Sequence, residues 1–253
     1  MLSNFVRSLT QSDLGRSCRS LVSSEYRILE DTTNQILDTI PTQEYENIRN
    51  RYLTEDPAGE EARIVHTSSR KYLNARPWLE NAVERAMKLD LHKTPPKSVL
   101  DLGCGAGWFL LVARHFGHEV VGLDLAENNM YNELIQLFQL ERAEHCIDPY
   151  VPLPNFNGKF DLVTGFMVYF NFYNFESKTD ARAWGGEEWK YFLEDVRSHM
   201  EPKGHLHLQL NRGGPYLPER ERGQYLTDET LRGLLEVDGV TVSEDRVFVT
   251  ADV

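Results

Sequence analysis

Between Leu21 and Ile40 the apolar side chains Leu21, Val22, Tyr26, Leu29, Ile36, Leu37 and Ile40 recur every three to four residues, a helical period that Pro41 interrupts. Tyr72, Leu73, Trp78, Leu79, Val83, Ala86 and Met87 repeat the period, which predicts a second helical run. The polar stretch Thr54 to Glu61 between them contains Pro57 and Gly59 and reads as a surface loop. Residues 1–95 are therefore expected to form an N-terminal helical cap. At Lys93 to Lys97 two prolines stop any helix, and Ser98 to Leu102 follows as a buried strand. Strands are then expected at Glu119–Leu123, Glu144–Ile147, Phe160–Phe166, His205–Leu210, Val240–Val242 and Arg246–Thr250. Helices are expected at Trp108–Phe116, Asn128–Leu140, Glu187–Met200 and Asp228–Leu235. Strands separated by helices predict a mostly parallel α/β sheet covered on both faces.

Composition narrows the partners. The 253 residues and 41% apolar content suffice for a real core, and the net charge is -12. Up to Pro95 there are 13 basic and 14 acidic residues, and beyond it 14 and 25, so the acidity lies in the α/β region. Nucleic-acid affinity comes mainly from Lys and Arg neutralising phosphates, so no nucleic-acid partner is expected. Cys18, Cys104 and Cys146 form no CxxC pair, which suggests neither a disulfide framework nor a Cys-rich metal site and fits a reducing cytoplasm. No apolar run approaches the roughly 18 to 20 residues of a membrane span, so membrane insertion is not expected. Residues 1–24, with Arg7, Arg16, Arg19, seven serines and the single acid Asp13, share their composition with organelle-targeting peptides and with ordinary frayed termini.

The chemistry concentrates in Val99 to Phe109, VLDLGCGAGWF. A buried strand runs into Gly103, Gly105 and Gly107 before a helix begins, so a ligand can approach bare backbone at a helix N-terminus. A dinucleotide fingerprint needs a further glycine where this chain has Trp108. Asp101, two residues before the first glycine, would repel a pyrophosphate and welcome an ammonium. Downstream, Val120-Val121-Gly122-Leu123-Asp124 reads as a second strand ending in an acid able to accept both hydroxyls of a ribose.

This combination resembles the class I S-adenosylmethionine-dependent methyltransferases. The matching segments are Asp101 to Gly107, Gly122-Leu123-Asp124, Lys159 to Val163, and Leu193 to Leu210 with its Pro-x-Gly turn. The resemblance implies a Rossmann-like, seven-stranded, mostly parallel sheet with helices on both faces. It assigns residues 96–253 to a core that binds S-adenosyl-L-methionine, behind the N-terminal cap. It places the methionine portion of that cofactor on Asp101 and the Gly103 to Gly107 backbone, Cys104 and Gly105 included. The ribose falls to Asp124, one adenine face to Leu125, the adenine amino group to Asp148, and the methionine end to Phe166.

Methyl transfer depends mainly on aligning the acceptor and excluding water, so no catalytic residue is assigned. His205 and His207 alternate on an expected strand, and with His199 they read as packing residues. The aromatic run Phe166 to Phe175 can wall an acceptor pocket or pack between sheet and cap. Tyr72 and Trp78 have two roles open to them, closing over the cofactor or packing in the core. Arg212, Arg220 and Arg222 interleave with Glu219 and Glu221 and read as a solvated loop. Asp161 reads as structural. No metal site is expected, and the acceptor is expected to be a small molecule, sugar- or lipid-derived. A non-catalytic S-adenosylmethionine sensor of the same fold is the alternative.

Overall fold

The computed structural model describes residues 13–54, 69–168, 170–173, 182–210, 234, 237–243 and 246–250. Helices α1 (Asp13–Thr39) and α2 (Thr42–Thr54) precede a 3-10 turn (Ser69–Leu73) and α3 (Ala75–Lys88). The alternating region is β1 (Ser98–Leu102), α4 (Trp108–His115), β2 (Glu119–Asp124), α5 (Asn129–Leu137), β3 (Arg142–Glu144) and β4 (Phe160–Val168). It continues through the two-residue strands β5 (Phe172–Tyr173) and β6 (Arg182–Ala183), α6 (Gly186–Ser198), β7 (Met200–Leu210), β8 (Val240–Ser243) and β9 (Arg246–Thr250).

The main sheet has the order β3-β2-β1-β4-β7-β9-β8, and β5 pairs only with β6. The five strands from β3 to β7 run parallel, while β9 and β8 continue the sheet antiparallel. The α/β class and the parallel sheet thus match the expectation. Alternation along β1 sends Val99 into a core with α3, α4 and α5, and Leu100 and Leu102 into a second core with α6 and β7. Ile36 of α1, Ile40 just after it, and Tyr45 and Ile48 of α2 join the first core. These helices therefore pack on the outside of α3, α4 and α5 as an additional layer. No helix among the described residues is long and apolar enough to cross a membrane.

Several expected boundaries need correction. The third strand ends at Glu144, and His145 to Ile147 are irregular. Its pairing partner β2 ends at Asp124, opposite Glu144, so nothing remains for a longer ladder. The fourth and fifth strands run longer than expected, to Val168 and back to Met200, because the two pair at both ends, Phe160 with Met200 and Val168 with Leu210, across two register shifts. The aromatic run does not continue as one segment: β4 ends at Val168, and Phe172 and Tyr173 form a separate small strand. The loop after Thr54, most of Asp228–Leu235 and the arginine group after Leu210 lie outside the described residues.

One close contact joins the two halves of the turn region. An ideal Cβ on Gly122 would lie 2.6 Å from Cys104 Sγ and 2.8 Å from Leu110 Cδ1. Gly122→Ala is expected to cost about 1–3 kcal/mol in urea denaturation through overpacking. Cys104→Ala in the same chain should recover part of that loss. Fully additive losses in the double variant would show that the sulfur is not the obstacle.

Candidate active site

The sheet order reverses between β1 and β4, and open α/β sheets bind ligands outside the carboxyl ends of their strands at such a point. A cavity of about 340 Å³ opens there. Gly103 and Gly105 from the turn after β1, Asp124 and Leu125 from the end of β2, and Tyr131 from α5 line it. Residues 145–148 beyond β3, the end of β4 and Phe170 complete the wall, with Tyr72 reaching in from the 3-10 turn.

The turn is built by left-handed backbone. Gly103, Gly105 and Gly107 have φ of 67°, 54° and 79°, a region costly for residues with a Cβ. Gly107 caps α4, and a Cβ there would press to 2.7 Å on both Ile135 Cδ1 and Leu140 Cδ1. Gly105 is different, since the nearest atom to its ideal Cβ is Tyr131 Cε2 at 3.9 Å, across the cavity wall. The Gly105 N–H donates to Asp124 Oδ2 at 2.6 Å, and Leu125 N–H donates to Asp124 Oδ1 at 2.7 Å. Burial raises the Asp124 carboxyl above its ordinary range, opposed by those two backbone bonds and by Arg142.

Seven of the ten expected site residues therefore converge on one cavity: Tyr72, Gly103, Gly105, Asp124, Leu125, Asp148 and Phe166. Three do not line it. Gly107 belongs to the helix cap, and Cys104 is buried against Gly122. Burial raises the Cys104 thiol well above its ordinary value, with Asp101 and Asp124 adding to the effect, so it is a packing group and not a nucleophile. Asp101 stands behind the wall, 3% exposed, where Thr164 Oγ1 donates to its Oδ1 at 2.8 Å. Burial pushes its carboxyl up to about 7, against the Thr164 bond and the Arg85 charge.

Other residues of the wall escaped the sequence reading. Tyr131 meets Tyr72 edge to face at 5.6 Å between ring centroids. Met167 adopts φ 58°, and the β4–β7 register shifts between Phe166 and Val168, turning both Phe166 and Met167 toward the cavity. The Trp108 indole donates to the Tyr72 carbonyl at 3.1 Å, so the residue in place of a third glycine holds the 3-10 turn in position. Trp78 stacks on Tyr72 at 4.2 Å and lines a neighbouring cavity instead. Asp161 bonds Ser98 N–H and Oγ, consistent with a structural role. His207 packs its ring 5.5 Å from that of Phe166, and His199 lies 5.6 Å from Phe156.

A family model described as a methyltransferase domain matches residues 72–242. No curated protein matches the chain. Among solved structures, Streptomyces venezuelae DesVI is 18% identical with a TM-score of 0.40, over 56% of this chain and 54% of that one. The amino pentose methyltransferase CalS10 of Micromonospora echinaspora, with S-adenosylmethionine bound, is 23% identical with a TM-score of 0.36, over 53% and 50%. The 16S rRNA N2 G1207 methyltransferase of T. thermophilus is 18% identical with a TM-score of 0.38, over 69% and 43%. The chain spans about half the length of the first two.

Asp101 makes stability depend on pH in a defined direction. Unfolded, its carboxyl ionises near the ordinary 3.8; folded, near 7, so the folded chain holds an extra proton between these values. Its contribution is full below the unfolded value and is lost as pH rises through 7. The sequence pI is about 5.2, so the measurement belongs on the alkaline side. In urea denaturation without ligand from pH 6 to 8, wild type should lose stability relative to Asp101→Asn. Parallel pH profiles for the two would remove Asp101 as the titrating group.

Proposed function

The chain belongs to the methyltransferase-domain family, and on that premise we propose that this S-adenosylmethionine-dependent enzyme methylates a small-molecule acceptor, sugar- or lipid-derived, at the cavity between β1, β2 and β4. The observation that carries this reading is the pairing of Gly105 N–H with the Asp124 carboxylate beside exposed glycine backbone. It makes a polar seat for a ribose and an amino-acid tail.

The donor set fits the cofactor. Among the described residues lining the cavity there is no Lys or Arg, so nothing there neutralises a pyrophosphate, whereas Asp124 and Asp148 accept hydrogen bonds from hydroxyl and amino groups. Leu125 and Ile147 offer apolar surface for an adenine, and Tyr72 and Tyr131 meet at its side. In this reading Gly103 and Gly105 hold the amino-acid tail, Asp124 the ribose diol and Asp148 the adenine amino group, with Phe166 at the methionine end. Asp101 and Cys104 contribute from behind the wall and Gly107 by capping α4. Asp101 acts on the tail through its charge, and Cys104 through packing.

S-adenosylmethionine, when bound, supplies an electrophilic methyl group. What remains for the protein is to orient the acceptor and exclude water, an effect worth up to several kcal/mol. Phe166, Met167 and Phe170 form the apolar side of the cavity suited to that exclusion. The segment 1–95 contributes Tyr72 to the same wall. The acid excess supports a small-molecule acceptor over a nucleic acid.

Two titrations test this. S-adenosylmethionine and its demethylated product, S-adenosylhomocysteine, should bind in calorimetry more tightly than NAD or NADP, and the reverse ranking would overturn the cofactor assignment. Asp124→Asn, which loses one acceptor oxygen, should weaken S-adenosylmethionine binding by about 1–3 kcal/mol with the far-ultraviolet circular dichroism unchanged. An unaltered affinity would remove Asp124 from the site.

A further inference from the structure

A second cavity, of about 600 Å³, lies between α3 and the carboxyl-terminal parts of β4 and β7. It shares Phe166 and Met167 with the cofactor cavity, so those two residues are the partition between them. Its charge is opposite. The cofactor cavity has Asp124 and Asp148 and no Lys or Arg, whereas this one has Arg85 and Lys88 and no Asp or Glu among the described lining residues. Asn81, His207 and Gln209 add hydrogen-bonding groups, and Trp78 supplies an aromatic wall. In a chain of net charge -12, a cavity of this sign does not follow from average composition.

Arg85 is the centre of the arrangement. Its guanidinium carbon lies 4.7 Å from the Phe166 ring centroid, stacked on the partition itself. Among the described residues no carboxylate stands within ion-pair distance of it, and Asp101 acts on it only through space. Burial works against its charge, so the site maintains a cation whose planar donors have a cavity in front of them. Lys88, two-thirds exposed at the rim, has only a 3.9 Å contact to Glu84.

From this geometry we infer that the second cavity anchors the acceptor by an oxyanion, a phosphate ester or a carboxylate, on Arg85 and Lys88, and presents its nucleophile at the Phe166–Met167 partition. The inference rests on the assignment of the first cavity to S-adenosylmethionine and adds the acceptor's charge to it. Arg85 is then a specificity-determining residue. A neutral analogue that lacks the oxyanion would leave the guanidinium half-buried and unpaired.

The test is calorimetry on the full chain saturated with S-adenosylhomocysteine. The probes are inorganic phosphate, benzoate, and benzyl alcohol as the uncharged counterpart of benzoate. At least one anion should bind, with benzyl alcohol about tenfold weaker or absent. Binding of phosphate alone points to a phosphate ester, and of benzoate alone to a carboxylate. Arg85→Gln should lower the anion affinity about tenfold or more, and Lys88→Gln about threefold. The inference is overturned if neither anion binds, if benzyl alcohol binds as well as benzoate, or if both variants keep wild-type affinity. Should Arg85→Gln fail to fold by circular dichroism, the wild-type titrations and the exposed Lys88→Gln decide. A titration of S-adenosylhomocysteine without anion separates the two readings. No binding there sinks the cofactor assignment, whereas binding there without anion affinity sinks only the acceptor inference.

Discussion

The hydrogen bond from the Gly105 amide to the Asp124 carboxylate, 2.6 Å long, joins the turn after β1 to the end of β2. Bonds from an amide to an ionised acceptor are stronger than neutral ones, and this one is part-buried at the cavity wall. Its neighbours reinforce the same closure: Gly103 and Cys104 both donate to the Leu123 carbonyl, at 2.7 and 3.2 Å. Cys104 fills the space that the missing Cβ of Gly122 leaves. A chain held this way has little freedom in where α4 begins, and the mouth of the cavity is set by where α4 begins. Ligand binding and local stability thus draw on one set of contacts.

Where the sequence was readable, the reason was local. Ser98 to Leu102 is a strand with the expected limits because four buried positions after Ser98 are bounded by two prolines on one side and a glycine turn on the other. Trp108 begins its helix as expected because Gly107 can take a left-handed conformation there. Asp124 ends β2 at the carboxyl edge of the parallel sheet, where ligands bind, and Asp148 reaches the same cavity from the irregular segment that follows β3. The misses depended on tertiary partners. The third strand is short because β2 runs out, a fact of pairing that its own residues do not encode. Met167 has no intrinsic preference for positive φ, and only the shift between β4 and β7 puts it there. No motif in the sequence singles out Arg85, because its place over Phe166 depends on α3 packing beside β4.

The N-terminal helices illustrate how an added layer can act at a distance. Tyr45 of α2 donates its hydroxyl to the Leu73 carbonyl at 2.8 Å and meets the Trp108 ring edge on at 6.3 Å. Trp108 in turn holds the carbonyl of Tyr72. Arg51 and Tyr52 reach Glu133 on α5, the helix that also carries Tyr131. Two of the cavity's aromatic side chains, Tyr72 and Tyr131, are therefore positioned partly by residues that never touch the cavity. A glycine in place of Trp108 would remove the indole that holds the Tyr72 carbonyl.

The same economy sorts charge around β4. Asp124 at the end of β2 and Asp148 in the chain beyond β3 face the first cavity, and cations sit on α3, where Arg85 and Lys88 face the second. Between them Asp101 is buried with one short bond, from Thr164 of β4. Its pKa is pulled in two directions, lowered by the Thr164 bond and the Arg85 charge and raised by Asp124. Burial outweighs both, so the carboxyl stays near the point where it can take either state at neutral pH. An apolar residue at this position would pack more cheaply and would remove a group on which both Arg85 and Asp124 act. With an acid there, charge arriving in either cavity acts on a single group. Phe166 and Met167 border both cavities, while Asp101 interacts through charge with Asp124 on one side and with Arg85 on the other.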